Sequence, residues 1–246
     1  MKKIFISLVI IIILGVSLFL FFKKEDKVVV VPKPVIKEPI SICYANIRAT
    51  DRNFYDQFLL RLDLAGDKVT GNFVSSPAEK DLKTGNFTGT VGALDQKAMA
   101  RTADVFWNTS AEGMQGTEEL IISFGDGSAS ILGGEMVDRG DGVYVYKDKT
   151  KLTPSYPQLS QTDCSNFDEI KIVEKYIKDN IKTIATNKPV LGGSWYSLYV
   201  GVNPGADEAL VMYEDGHIQS KAKIFYEYDP ATQKVTILKF EVKPGE

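Results

Sequence analysis

Two short motifs in this chain have spacings that could support acyl transfer through a serine. Residues 220–223 (SKAK) have the S-x-x-K spacing, and residues 83–85 (KTG) match a motif that accompanies it in acyl-serine enzymes. That chemistry requires the serine and the lysine one turn apart on a helix, so that the lysine amine can take the serine proton. Residues 220–223 instead lie in a strand-like pattern, and the two motifs stand in the wrong chain order. We therefore assign no catalytic residue.

The acidic residues and the single histidine are the other candidates for chemistry. A carboxylate pair such as Glu112 and Glu118 could in principle hydrolyse a glycosidic bond, although nothing in the spacing selects one pair over another. His217 follows Glu214 and Asp215 in a pattern typical of a hairpin turn. Two cysteines and one histidine at scattered positions do not form a tetrahedral zinc site. We expect neither a metal nor a cofactor.

Aromatic side chains are the better candidates for binding. Tyrosines on an uncovered sheet face would form a platform for a protein, a peptide or a glycan, and aromatic rings inside a barrel would line a small-ligand pocket. Packing in a hydrophobic core is the alternative interpretation. The candidate ligand-binding residues are Trp107, Phe124, Trp195, Tyr199 and Tyr213.

Two cysteines, Cys43 and Cys164, stand at the two ends of one β-rich region. In an oxidising compartment this placement predicts a disulfide that joins the first and last strands of a domain. In the chain-entropy model, closing so long a loop stabilises the fold by about 4–5 kcal/mol. Two buried free thiols are the alternative.

Between the cysteines, alternation of apolar and polar residues predicts short strands. Residues 58–64 alternate with a period of two, and the tetrapeptide Thr-Gly-Asn-Phe occurs at residues 70–73 and again at 84–87. The repeat predicts two equivalent hairpin strands whose glycines permit strong bending. About eight strands without a helix-length pattern predict an antiparallel β-barrel or sandwich over residues 41–165. We favour the barrel because closure leaves no free edge strand. Further strands are predicted at residues 99–107, 118–124, 128–137 and 142–146.

After Cys164 the apolar period becomes that of an amphipathic helix. The apolar stripe consists of Ile170, Val173, Ile177, Ile181 and Ile184. Ser165 and Asn166 are the predicted caps at its start. Four strands are then predicted at residues 194–202, 208–213, 218–228 and 235–242. One helix ahead of a four-stranded antiparallel sheet predicts an α+β domain over residues 166–246, similar in outline to cystatin-like folds.

Two segments of this C-terminal part carry a resemblance. Residues 188–196 (KPVLGGSWY) and 213–219 (YEDGHIQ) resemble the C-terminal domains of uncharacterised membrane-anchored surface proteins of small-genome bacteria. The resemblance brings no activity with it.

The N-terminal segment predicts a single-pass membrane anchor. Residues 4–22 form an unbroken apolar run flanked by lysines, and such a helix spans about 28 Å, close to the thickness of a bilayer core. The run is too long for a cleaved signal peptide, and the residues after it are too bulky and charged. We predict a signal anchor over residues 1–27 that contacts the lipid bilayer through residues 4–22. The N-terminus would be cytoplasmic and the rest of the chain outside.

The proline-rich residues 28–40 predict a stiff stalk, with an edge strand at residues 28–31 as the alternative.

Net charge limits the partners. Residues 1–27 hold five of the 29 basic and two of the 32 acidic residues, which leaves 24 against 30 and a net charge of −6. Nucleic-acid binding depends on cationic side chains, so we expect no nucleic-acid partner.

Three hypotheses for function follow from these patterns. The leading hypothesis is a membrane-tethered, non-enzymatic binding or protein-interaction module of the cell envelope, whose partner is an envelope protein, a peptide or a glycan. The alternative is a small-ligand carrier, because the predicted barrel is similar to lipocalin-like and avidin-like barrels, and eight strands can enclose one small ligand. A carboxylate-based envelope hydrolase comes third.

Overall fold

The computed structural model describes residues 39–52, 54–78, 80–190 and 192–243. The predicted membrane anchor and the stalk up to residue 38 lie outside the described residues. Across the part of the chain that is described, no helix is both long and apolar enough to cross a membrane. The described residues fall within one compact unit, Lys37–Glu246.

The N-terminal part is a closed antiparallel β-barrel. Its strands and the short strands attached to it are β1 (Ile40–Ala49), β2 (Tyr55–Ala65), β3 (Lys68–Ser76), β4 (Lys83–Val91), β5 (Arg101–Ala111), β6 (Met114–Gly125), β7 (Ser128–Gly133), β8 (Met136–Asp138), β9 (Val143–Tyr146), β10 (Thr153–Pro154) and β11 (Leu159–Thr162). Neighbours from β1 to β7 pair in sequence, and β11 pairs with both β7 and β1, which closes an eight-stranded ring. The predicted barrel is therefore confirmed. Strand β9 adds to β6 in parallel, β8 adds to β9, and β10 adds to β7.

The Thr-Gly-Asn-Phe repeat forms the β3–β4 hairpin, as predicted. Asn72 and Asn86 are directly opposite each other, so the glycine of each copy faces the phenylalanine of the other copy. A Cβ atom on Gly71 would lie 2.4 Å from Cζ of Phe87. The glycines thus leave room for the phenylalanine rings, which are fully buried inside the barrel.

The C-terminal part is one helix and a separate four-stranded antiparallel sheet. Its elements are α1 (Ser165–Ile184), β12 (Tyr196–Asn203), β13 (Glu208–Glu214), β14 (Gln219–Asp229) and β15 (Lys234–Lys243), and the strands pair in chain order. Four of the five residues of the predicted apolar stripe of α1 are buried, and the fifth, Ile184, is partly buried. The predicted caps were wrong, because Cys164 holds the N-cap position and the Asp163 carboxylate accepts the N–H of Ser165.

Cys43 and Cys164 form the predicted disulfide, with their Cα atoms 5.1 Å apart. The bond connects β1 to the residue that precedes α1, whereas the sequence predicted a bond between first and last strands. Its position ties the start of the helix to the outside of the barrel.

The barrel wall, the helix and the sheet share one hydrophobic cluster. Cys43 and Leu59 contribute to it from the barrel, whereas Val173, Trp195 and Tyr213 contribute from the C-terminal part. A polar contact reinforces this packing, since the buried side-chain amide of Gln57 donates to the carbonyl of Val202 over 2.6 Å. A second cluster fills the barrel interior.

Candidate functional site

A cleft of 410 Å³ lies where the barrel wall, α1 and β12 meet. Its floor is apolar and is formed by Leu59, Val74, Ile170 and Val200. Two leucine side chains remain accessible to solvent at the cleft, since Leu82 is 51% exposed and Leu198 is 43% exposed. A cleft of this size and lining is typical of small-ligand and peptide sites.

Strand β2 supplies the barrel side of the cleft because both of its faces are buried. Phe58 and Leu60 point into the barrel, while Leu59 belongs to the cluster shared with the helix and sheet. In a strand of a solvated barrel wall, the residue between two interior positions would be polar. The buried Leu59 therefore marks where the helix and sheet cover the wall.

The helix supplies the opposite side of the cleft through residues spaced three to four apart. Ile170 lies on the floor, whereas Lys171, Glu174 and Lys178 line the cleft above it. Lys178 and Glu174 form an ion pair. With Lys80 on the barrel side, the described residues that line the cleft include three lysines and one carboxylate. This described part of the lining is basic on a chain that is acidic overall.

Tyr199 connects the cleft to the barrel. Its hydroxyl accepts the backbone N–H of Tyr55 over 2.9 Å and donates to the Tyr55 carbonyl over 3.0 Å. The Tyr199 ring also packs edge-on against Phe54, with centroids 5.0 Å apart. Burial raises the pKa of Tyr199 to about 12.

The structure separates the five predicted ligand-binding residues into three places. Trp107 and Phe124 are buried inside the barrel, and Tyr199 lines the cleft. Trp195 and Tyr213 pack edge-to-face in the core beneath the C-terminal sheet, with centroids 4.9 Å apart. Ligand binding by these five residues stays a prediction. The other cleft residues were not identified from the sequence, because their proximity depends on the packing of α1 and β12 against the barrel wall.

The barrel interior is filled by side chains. Phe73, Phe87 and Trp107 are fully buried there, and Tyr156 packs against Phe73 with centroids 5.1 Å apart. At one end of the barrel, Lys83 lies 5.0 Å from the ring centroid of Trp107. A ligand in this barrel would have to displace close-packed rings.

The two acids considered for hydrolysis have separate partners. Glu118 forms a two-pronged ion pair with Lys83, at 2.6 and 2.7 Å. Glu112 lies beside Asp81, and a hydrogen bond between these carboxyl groups raises the pKa of Glu112. Over the described ranges, no group of three or more His, Cys, Asp or Glu side chains could hold a metal ion.

Comparison with protein-family models, with curated proteins and with solved structures finds no match for this chain.

Proposed function

We propose that this chain is a non-enzymatic binding module of the cell envelope that docks a partner polypeptide in the cleft between the barrel and α1. The partner segment carries apolar side chains for the floor and acidic side chains for the lysine rim. The observation that carries the proposal is the apolar floor beneath Lys80, Lys171 and Lys178.

The accessible leucines supply the driving force for docking. Leu82 and Leu198 present apolar surface to solvent at the edge of an already apolar floor. Each apolar side chain that a partner buries here contributes about 1.5–3 kcal/mol, before the cost of association.

The lysines supply orientation and selectivity. Complementary charge raises association rates and disfavours partners of the same sign. A basic partner would meet the charges of Lys80 and Lys171, for which the described residues provide no ion-pair partner, whereas Lys178 is paired with Glu174. An acidic, partly apolar peptide fits both features of the cleft.

The filled barrel supports a site on the outside of the fold. Its packed interior makes the barrel a rigid wall, and the disulfide and Tyr199 hold the helix and β12 against that wall. Attachment to a membrane through residues 4–22 is part of the proposal and is supported by the sequence.

Selection from a displayed library of random dodecapeptides against the full chain in detergent tests this proposal. We expect enriched peptides to combine acidic and apolar residues.

Two variants of the cleft, Leu198→Glu and Lys171→Gln, should each weaken the binding of these peptides about tenfold, as expected for loss of a central contact. Lys175→Gln is the matched control, since Lys175 pairs with Asp179 at the surface and does not line the cleft. Peptides that bind the two cleft variants as tightly as the parent chain would overturn the proposal.

A further inference from the structure

The outer wall of β3–β6 carries a patch of uncharged polar side chains. The strand register places amide and hydroxyl groups next to one another in this patch: Thr70, Asn72, Asn86, Thr88, Asn108, Ser110 and Thr117. Phe106 and the Asp104–Lys149 ion pair lie further along the same wall. Threonine is stiff at its first side-chain torsion, which keeps the surface ordered before a ligand arrives.

The asparagines of this wall have fixed orientations. The Asn72 amide donates to Oδ1 of Asn86 over 3.1 Å and to the carbonyl of Gly85 over 2.9 Å. The Thr117 hydroxyl donates to Oδ1 of Asn108 over 3.0 Å. Asn86 and Asn108 are themselves paired across β4 and β5 and are both exposed. Their oxygens accept these hydrogen bonds, and neither NH2 group donates one to the described residues, so each exposed amide has its NH2 group available to a ligand.

A groove of 520 Å³ continues this patch, and the described residues that line it are all uncharged. It is lined by Asn108, Thr109, Ser110, Gln115, Gly116, Thr117 and Gly142. Its side chains offer amide and hydroxyl groups. None of these residues lines the cleft beside α1.

We propose that the wall of β3–β6 and its groove bind a neutral glycan. Sugar hydroxyls both donate and accept hydrogen bonds, as do the hydroxyl and amide groups presented here. Among the described residues that line the groove, a charged ligand would find no counter-charge and an apolar ligand no large apolar side chain. The available NH2 groups of Asn86 and Asn108 are preoriented donors on neighbouring strands, which lowers the entropy cost of binding.

An array of neutral and acidic oligosaccharides, probed with the full chain in a detergent that contains no sugar, tests this site. We expect binding to neutral hexose or N-acetylhexosamine oligomers. Asn108→Asp replaces an available donor with a charged acceptor, and Asn86→Asp does the same, so each should weaken binding about tenfold or more. Asn108→Ala removes the donor without adding charge and should also weaken binding.

Gln161→Glu is the matched control, because it makes the same amide-to-acid change at an exposed position on β11. Thermal unfolding of each variant shows whether it is folded. An array without neutral-glycan binding overturns the proposal, as does a preference for acidic glycans. Equal binding by the parent chain and the folded Asn108 variants also overturns it. The peptide selection is independent of every one of these outcomes.

Discussion

The hydroxyl of Tyr199 bonds to both backbone polar groups of Tyr55, accepting from its N–H and donating to its carbonyl. This side chain therefore takes the place of a neighbouring strand at the first residue of β2. Through it, β12 of the C-terminal sheet is fixed to the barrel at the wall of the cleft. The geometry of the proposed peptide site depends on this contact.

Tyr199→Phe removes both hydrogen bonds and leaves two partly buried backbone groups of Tyr55 without their present partner. We expect the free energy of unfolding to fall by about 1–3 kcal/mol, which urea denaturation measures. Tyr196→Phe is the control, since Tyr196 is 45% exposed and its hydroxyl bonds to Glu214 at the surface. That variant should change stability by less than about 0.5 kcal/mol. Equal effects of the two substitutions would contradict the role given to Tyr199.

Replacement of both Cys43 and Cys164 by serine removes the bond between β1 and the start of α1. The two residues are 121 positions apart, so the chain-entropy model predicts a loss of about 4–5 kcal/mol. The midpoint of urea unfolding should fall accordingly. Reductant should lower the midpoint of the parent chain and leave that of the double variant unchanged. A parent chain that reductant does not affect would show that the disulfide contributes little to stability.

Gly71→Ala tests why the repeat contains glycine. The added Cβ would lie 2.0 Å from the Arg61 carbonyl and 2.4 Å from the Phe87 ring, so backbone or ring must move. We expect destabilisation of about 1–3 kcal/mol or more, read from the thermal midpoint. Gly92→Ala is the control, because the nearest atom to its new Cβ is 3.6 Å away. Equal thermal midpoints of the two variants would show that the close contacts at Gly71 do not require glycine.

Asp215 gives the fold an acid-dependent contact. Its carboxylate accepts the N–H groups of Ile218, His217 and Val190, and these hydrogen bonds hold its pKa below the usual 3.8. A lowered folded-state pKa adds stability that is present above the unfolded value and is lost as pH falls through the folded value.

Below about pH 4 the parent chain should therefore lose stability faster than Asp215→Asn. Urea unfolding of both chains between about pH 7 and pH 2, which covers the pH range in which carboxyl groups titrate, measures this difference. Parallel stability curves over that range would show that Asp215 does not contribute to acid sensitivity.

Much of the fold could be predicted from periodicity. The repeated tetrapeptide predicted the β3–β4 pairing, and the spacing of Ile170, Val173 and Ile177 predicted the buried face of α1. Both predictions rest on local rules of alternation and helical period. The N-cap position of Cys164 was missed because its neighbours Asp163, Ser165 and Asn166 are all better capping types.

The site was harder to predict because it depends on long-range packing. Leu59 reads as one more apolar residue of β2, and only the docking of α1 shows that it faces outward. Leu198 lies at a register shift between Ser197 and Tyr199, and this irregularity leaves its side chain accessible. A bulge redirects a side chain in a way that strand alternation does not predict.

Amide chemical-shift mapping would locate the bound peptide on the fold. The isotope-labelled full chain in detergent is titrated with a dodecapeptide enriched by the library selection. Docking in the cleft predicts saturable shifts at Val74, Ile170 and Leu198, with Asn86 and Asn108 unchanged. Shifts confined to residues outside the cleft, or shifts that persist unchanged in Leu198→Glu, would contradict it.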